Sequence, residues 1–277
     1  MGEAGASSTP LAHTPPAPAA PLLGVLLAGL AAGAAGGFFG VGGGLVMIPI
    51  LTGAFHYSQH QAHGTSLAVI GVAAVVSLAV YAMHGNVLWS TAAAVAAASV
   101  FTARLGARWA SRTSSRLLAR AFAALLAAVA LRLLLKAPEG AALPAHGGLE
   151  RVGIDIALGL AIGALSGFMG VGGGLIAVPA FTLLLGMNQH VAQGTSLAVI
   201  LVTAPVGALE HARHGNVVGR LVPPLALGAA LGGPLASLLA QGTPQAVLAR
   251  AFAAFLLFNG VHSWVRAGRK PSPTSAA

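Results

Sequence analysis

The chain has 277 residues, of which 56% are hydrophobic and only 7% charged, with a formal net charge of +9. An ordinary soluble domain carries about 25% charged residues, so a soluble globular fold is excluded. There is no cysteine, hence no disulfide framework and no thiolate chemistry. The positive excess has a cause other than nucleic acid: most basic residues gather near helix ends, as cytoplasmic loops of membrane proteins require.

In chain order, residues 1–20 are rich in Pro, Ala and Ser and read as a disordered tail. They lack the basic start of a signal peptide, so the first hydrophobic segment is expected to stay in the protein. A first membrane repeat, 21–136, holds hydrophobic segments at about 21–53, 64–83, 87–111 and 116–136. A linker at 137–150 carries Pro, Gly and both signs of charge. The second membrane repeat, 151–266, holds segments at about 151–186, 194–212, 217–240 and 245–266, and a tail at 267–277 follows. No Asp, Glu, Lys or Arg occurs between Glu3 and Arg104, or between Asp155 and Glu210. Uncharged stretches of that length suit helices that need about 20 apolar residues each to cross lipid. The expected fold is an all-α polytopic membrane protein of eight hydrophobic segments in two homologous four-segment halves.

The halves are related by an offset of 130 residues: Gly36–Ile70 and Ser166–Ile200 align without a gap, with 20 of 35 positions identical. MHGNV at 83–87 recurs as RHGNV at 213–217, and LARAFAA at 118–124 recurs at 248–254. The first segment of each half is too long for one plain helix. At 1.5 Å per residue it would reach roughly 50 Å, against a hydrocarbon core of about 30 Å. A GVGGG run near its middle permits a sharp break, which leaves an unwound crossing or a re-entrant hairpin. Arg112 and Arg116 mark one basic loop in the first half, and Arg213 and Arg220 mark a different loop in the second. If both are cytoplasmic, each half crosses an odd number of times, which favours an inverted repeat over eight parallel spans.

The pattern GxGGGxxxxP followed by QHxAxGTSLA, present in both halves, resembles the TauE/SafE sulfite exporter family. The resemblance covers both repeats. It implies a secondary transporter for a small sulfur-containing or organic anion such as sulfite or a sulfonate, an exporter working by alternating access in a bacterial cell membrane. Alternatives are uptake or exchange of another organic anion, or a passive channel or scaffold in which the glycines serve packing. No enzyme is expected. No nucleophile–base pair, P-loop or metal-ligand spacing occurs, and no cofactor or nucleic-acid partner is implied.

An anionic cargo suits the glycines, because successive backbone N–H groups can converge into a nest and a following helix adds its positive end. The candidates are Gly40, Gly42, Gly43 and Gly44, and in the second copy Gly170, Gly172, Gly173 and Gly174. The alternative is close helix packing. Pro49 and Pro179 follow five residues later, where each would break or kink the helix. Thr65 with Ser66, and Thr195 with Ser196, offer hydroxyls to an oxyanion, or else cap the next helix. His60 and His190 are candidates for proton coupling, or else bond a backbone carbonyl at the interface. Asp155 and Glu210 lie near segment ends and are expected to face water. The HGN turns read as ordinary turns.

Overall fold

The computed structural model describes residues 21–112, 115–135, 149–169 and 173–268. Among these residues the chain forms ten α-helices, one 3-10 turn and no strand. The first half contains α1 (Leu22–Phe39), α2 (Gly44–Gly53), α3 (Gln59–Met83), α4 (Trp89–Arg112) and α5 (Ser115–Leu135). The second contains α6 (Leu149–Met169), α7 (Gly174–Leu183), α8 (Gln189–Arg213), α9 (Val222–Gln241) and α10 (Gln245–Gly268), with the 3-10 turn at Gly219–Leu221. The expected tail at 1–20, nearly all of the linker and C-terminal tail, and Gly170 and Gly172 lie outside the described residues.

Each long first segment is two helices joined at its glycines. Gly40 ends α1 with φ 68°, and Gly42 and Gly43 follow at 74° and 82°. That left-handed region costs a residue with a side chain roughly 1–2 kcal/mol. The chain then folds back. Gly43 lies against Ala32 and Gly36 of α1, and Phe55, beyond the end of α2, packs at Gly24 near the start of α1. In the second half Gly173 lies beside Ile162 and Ser166 of α6. The prolines do not break anything: α2 runs through Pro49 and α7 through Pro179 as continuous helices. Each proline lacks an N–H, so it leaves one carbonyl a turn earlier without its usual donor.

The two long helices that follow begin earlier than their apolar patterns do. Ser58 caps α3: its hydroxyl accepts from the Gln61 N–H at 3.2 Å, and the Gln61 side chain accepts from the Ser58 N–H at 3.3 Å. Asn188 caps α8 by accepting from the Val191 N–H at 2.8 Å. Thr65, Ser66, Thr195 and Ser196 are therefore not caps. They sit inside α3 and α8, where all four are buried.

Two seams of small residues hold the halves together. Along α1, Gly29, Gly33 and Gly37 lie successively against the backbone of Leu225, Ala229 and Gly233 of α9, so these helices run parallel at very close range. The partner seam sets Gly159 and Gly163 of α6 against Val95 and Ser99 of α4, also parallel. Ser99 donates to the Gly159 carbonyl at 3.0 Å, and Thr102 to that of Leu160 at 2.8 Å. At the centre, α3 and α8 run antiparallel, since Gly64 meets Asn216 while Gly194 meets Asn86. Each half's opening helix thus packs on the other half's α9 or α4, and the two central helices cross-brace.

One charged residue departs from expectation. Asp155 is only 3% exposed. Its Oδ2 accepts from the Thr91 hydroxyl at 2.9 Å, its Oδ1 lies 3.5 Å from Arg151 Nε, and Arg151 Nη2 donates to Thr91 at 3.0 Å. The close α4–α6 seam covers this end of the segment, which proximity to a segment end alone did not reveal. Glu210 is exposed, 3.6 Å from Arg213. The outer surface is apolar, with Met83, Phe101, Phe258 and Leu22 all more than two-thirds exposed. Among the described residues, five helices are long and apolar enough to cross a membrane: Leu22–Phe39, His60–Met83, Gln189–Arg213, Gly219–Gln241 and Gln245–His262.

Candidate functional site

The two glycine breaks meet in the interior. A Cβ built on Gly174 would lie 3.1 Å from Val41 Cα, and one on Gly42 would lie 2.6 Å from Ile70 and 3.5 Å from Ile200. The breaks therefore face each other between the middles of α3 and α8, one isoleucine from each helix separating them. Gly40 carries Gln193 of α8 directly over it, at 2.5 Å from its would-be Cβ. Glycine is required here both for left-handed backbone and for this close approach.

The polar inventory of the breaks is mostly backbone. Among the described residues, the N–H groups of Gly42, Gly43 and Gly44 donate to no protein acceptor. In the second copy the Gly173 N–H donates to Ser166 Oγ at 2.6 Å. The first half has Gly36 at that position, so the corresponding N–H of Gly43 has no hydroxyl to bond. Both short helices then point their N-termini at the junction, which favours negative charge there.

The Thr–Ser pairs divide their work. Thr65 accepts from the Val218 N–H and Thr195 from the Leu88 N–H, each at 3.0 Å. Each threonine thereby ties its helix to the HGNV turn of the other half, and Gly64 and Gly194 let the Asn216 and Asn86 carbonyls come close. The HGN motif is thus a turn that docks on the opposite repeat. Ser196 donates to the Gly174 carbonyl at 3.4 Å, so it reaches the second break. Ser66 is buried with no hydrogen-bond partner among the described residues. The two histidines lie elsewhere. His190 Nε2 is 2.9 Å from the Ala240 carbonyl, and His60 is exposed in the first turn of α3.

A cavity of about 80 Å³ reaches the second break from one end of the molecule. Gly173, Ser166, Thr203, Ser99, Arg104, Glu210 and His211 form its polar lining. At the other end, the corresponding space beside the first break is closed by Tyr81, which is fully buried. Its hydroxyl lies 2.8 Å from Gln193 Oε1 and 3.0 Å from the Gly37 carbonyl. Ser77, Ser237 and the Gln193 amide nitrogen are also buried on this side, without partners among the described residues. Sequence reasoning missed Tyr81, Gln193, Ser166, Arg104 and His211, because it sought residues shared by the two copies and these are residues in which the copies differ.

Comparison with known proteins agrees with the motif. The chain is 29% identical over 233 residues to a probable membrane transporter protein, YunE, of Bacillus subtilis (strain 168), covering 76% of this chain and 85% of that one. It is also 29% identical over 206 residues to a probable membrane transporter protein of Xylella fastidiosa (strain 9a5c), covering 74% and 79% respectively. A third relative, YdhB of Bacillus subtilis (strain 168), is 25% identical over 231 residues, covering 82% of this chain and 90% of its own length. No solved structure matches. The family model described as sulfite exporter TauE/SafE matches residues 5–133 and 155–277. With that match over both repeats, the chain belongs to the TauE/SafE sulfite exporter family, and it is a multi-pass membrane transporter rather than an enzyme.

Proposed function

We propose that this transporter exports a small sulfur-containing or organic anion, with sulfite or a sulfonate the first choice, across the cell membrane by alternating access. The anion passes where the two glycine breaks meet, and Gly40, Gly42, Gly43 and Gly44 with Gly170, Gly172, Gly173 and Gly174 form its binding site. Ser66 and Ser196 supply hydroxyls from the flanking helices. One observation carries this reading: paired breaks face each other, with three N–H groups that have no acceptor among the described residues and two helix N-termini directed at the junction. In a span almost without formal charge, such groups are what an anion can use.

The packing directions support an inverted repeat. The equivalent helices α3 and α8 are antiparallel, and each half comprises one folded-back hairpin and three further long helices. Three crossings per half bring the C-terminal end of α4 and the α8–α9 turn to the same end, as the cavity shared by Arg104 and His211 also requires. That end collects the basic residues and faces the cytoplasm under the positive-inside rule.

The test is a flux panel of radiolabelled sulfite, thiosulfate and a sulfonate in proteoliposomes, with and without an imposed proton gradient. Saturable flux of one anion, driven by the gradient, is expected. Absence of anion flux would overturn the reading, and rapid passive flux indifferent to the gradient would replace it with a channel.

A further inference from the structure

We propose that Arg104 and His211 form an entry site for the anion, at the mouth of the cavity that leads to Gly173. This rests on the anion reading above and adds to it the residues that receive the cargo on the basic side. The cavity, at about 80 Å³, has room for several water molecules or one small oxyanion.

Its donors can be counted. The Thr203 hydroxyl is taken up by the Val199 carbonyl at 3.1 Å, and that of Ser99 by Val95 at 2.6 Å and Gly159 at 3.0 Å. Glu210, the acid in the lining, is paired with Arg213 at 3.6 Å. Arg104 has no hydrogen-bond or ion-pair partner among the described residues, and the His211 ring makes no hydrogen bond there, although His60, His214 and Glu210 lie near enough to act on it electrostatically. Ser166 accepts the Gly173 N–H, and its own proton has no acceptor among the described residues. The uncommitted donors thus run from a guanidinium at the mouth, through an imidazole, to a hydroxyl bonded to the glycine break. A guanidinium is always cationic and suits an oxyanion's geometry.

The duplication supplies a control within the molecule. At the equivalent positions of the other copy, Pro234 stands for Arg104, Tyr81 for His211 and Gly36 for Ser166. Likewise Ser77 stands for Gly207. If these residues served only the shared framework, the other copy would need them as well. They occur only where the cavity is open.

The experiment uses the full-length protein, sorted into vesicles of known orientation, with labelled sulfite presented to either face. Arg104→Gln should raise the KM for sulfite offered to the cavity face by about tenfold or more, the loss expected for a hydrogen bond to a charged group. Sulfite offered to the opposite face should keep its wild-type KM, and kcat should change by less than about twofold because no framework contact is removed. Arg104→Lys should recover most of the affinity, since the attraction needs a cation above all. His211→Phe, which places a ring where Tyr81 closes the other side, should block uptake from the cavity face, and a thermal melt reports whether this variant is folded. Unchanged KM in Arg104→Gln, with active wild-type protein, overturns the entry site alone. Wild-type protein that moves no anion overturns the functional reading and the entry site with it.

Discussion

The two glycine breaks share a sequence but not surroundings. Beside the first, Tyr81 fills the space, Gly43 is pressed against Ala32 and Gly36, and the approach is closed. Beside the second, Gly207 and His211 leave a cavity, and a Cβ on Gly173 would meet nothing nearer than 3.7 Å. Repeated residues build a frame common to both halves, while unrepeated ones decide which end is open. Alternating access, as proposed above, would require a protein built from two related halves to break its symmetry in this way whenever it rests in one state.

The largest expected effect uses that contrast directly. Gly43→Ala puts a methyl group into the Ala32 carbonyl on a left-handed backbone and should destabilise the protein by more than about 4 kcal/mol, enough to prevent recovery of folded material. Gly173→Ala meets only the conformational cost of about 1–2 kcal/mol and should yield folded protein with impaired transport. Equal losses in the melting temperatures of the purified variants would erase the difference between the breaks.

The next effect concerns the seams. Asp155→Ala leaves the half-buried Arg151 without its carboxylate and should cost about 3–5 kcal/mol, read as a lowered melting temperature. At the equivalent positions of the other copy, Leu221 stands for Thr91 and Val25 for Asp155, both buried and apolar. Replacing Thr91, Arg151 and Asp155 together by apolar residues should therefore restore most of the lost stability. A triple variant as unstable as the single one would show that the ion pair is not exchangeable for packing.

Smaller losses probe what the halves share. Thr65→Val and Thr195→Val each strand one half-buried N–H, of Val218 and Leu88 respectively, and should each cost about 1–3 kcal/mol. Similar melting shifts are expected, and a shift in one variant alone would break the equivalence of the two turns. Tyr81→Phe removes only the hydroxyl contacts, at about 0.5–1.5 kcal/mol, and retains the ring that closes the first side. Its melting temperature should fall least of the series.

Much of the scaffold was legible because helices in this chain announce themselves through hydrophobic runs and breakers. The long first segments had to be interrupted, and the triple glycine marked the place, since few other residues adopt left-handed backbone. The alternative that Thr65 and Thr195 cap helices failed for a local reason. Ser58 and Asn188 begin each helix within a polar stretch that carries no apolar periodicity, and the threonines are instead bound to turns about 150 and 110 residues away along the chain. Asp155 was misread in the same way: its burial depends on Thr91 and Arg151, and only the first of these belongs to the other half.

By itself, the sequence determined that this is a helical membrane protein of two related halves, each broken at a glycine run and nearly without charge around it. Those properties follow from composition, length and backbone freedom, which act along the chain. Only the tertiary structure decided that the breaks fold back and face each other, that each HGN turn docks on the opposite half, and that one approach is open while the other is closed by Tyr81. The physical reason is that these outcomes depend on side chains from opposite repeats meeting in space. Identity between the copies pointed to the frame, and the positions where they differ acquired meaning only once the two halves were packed together.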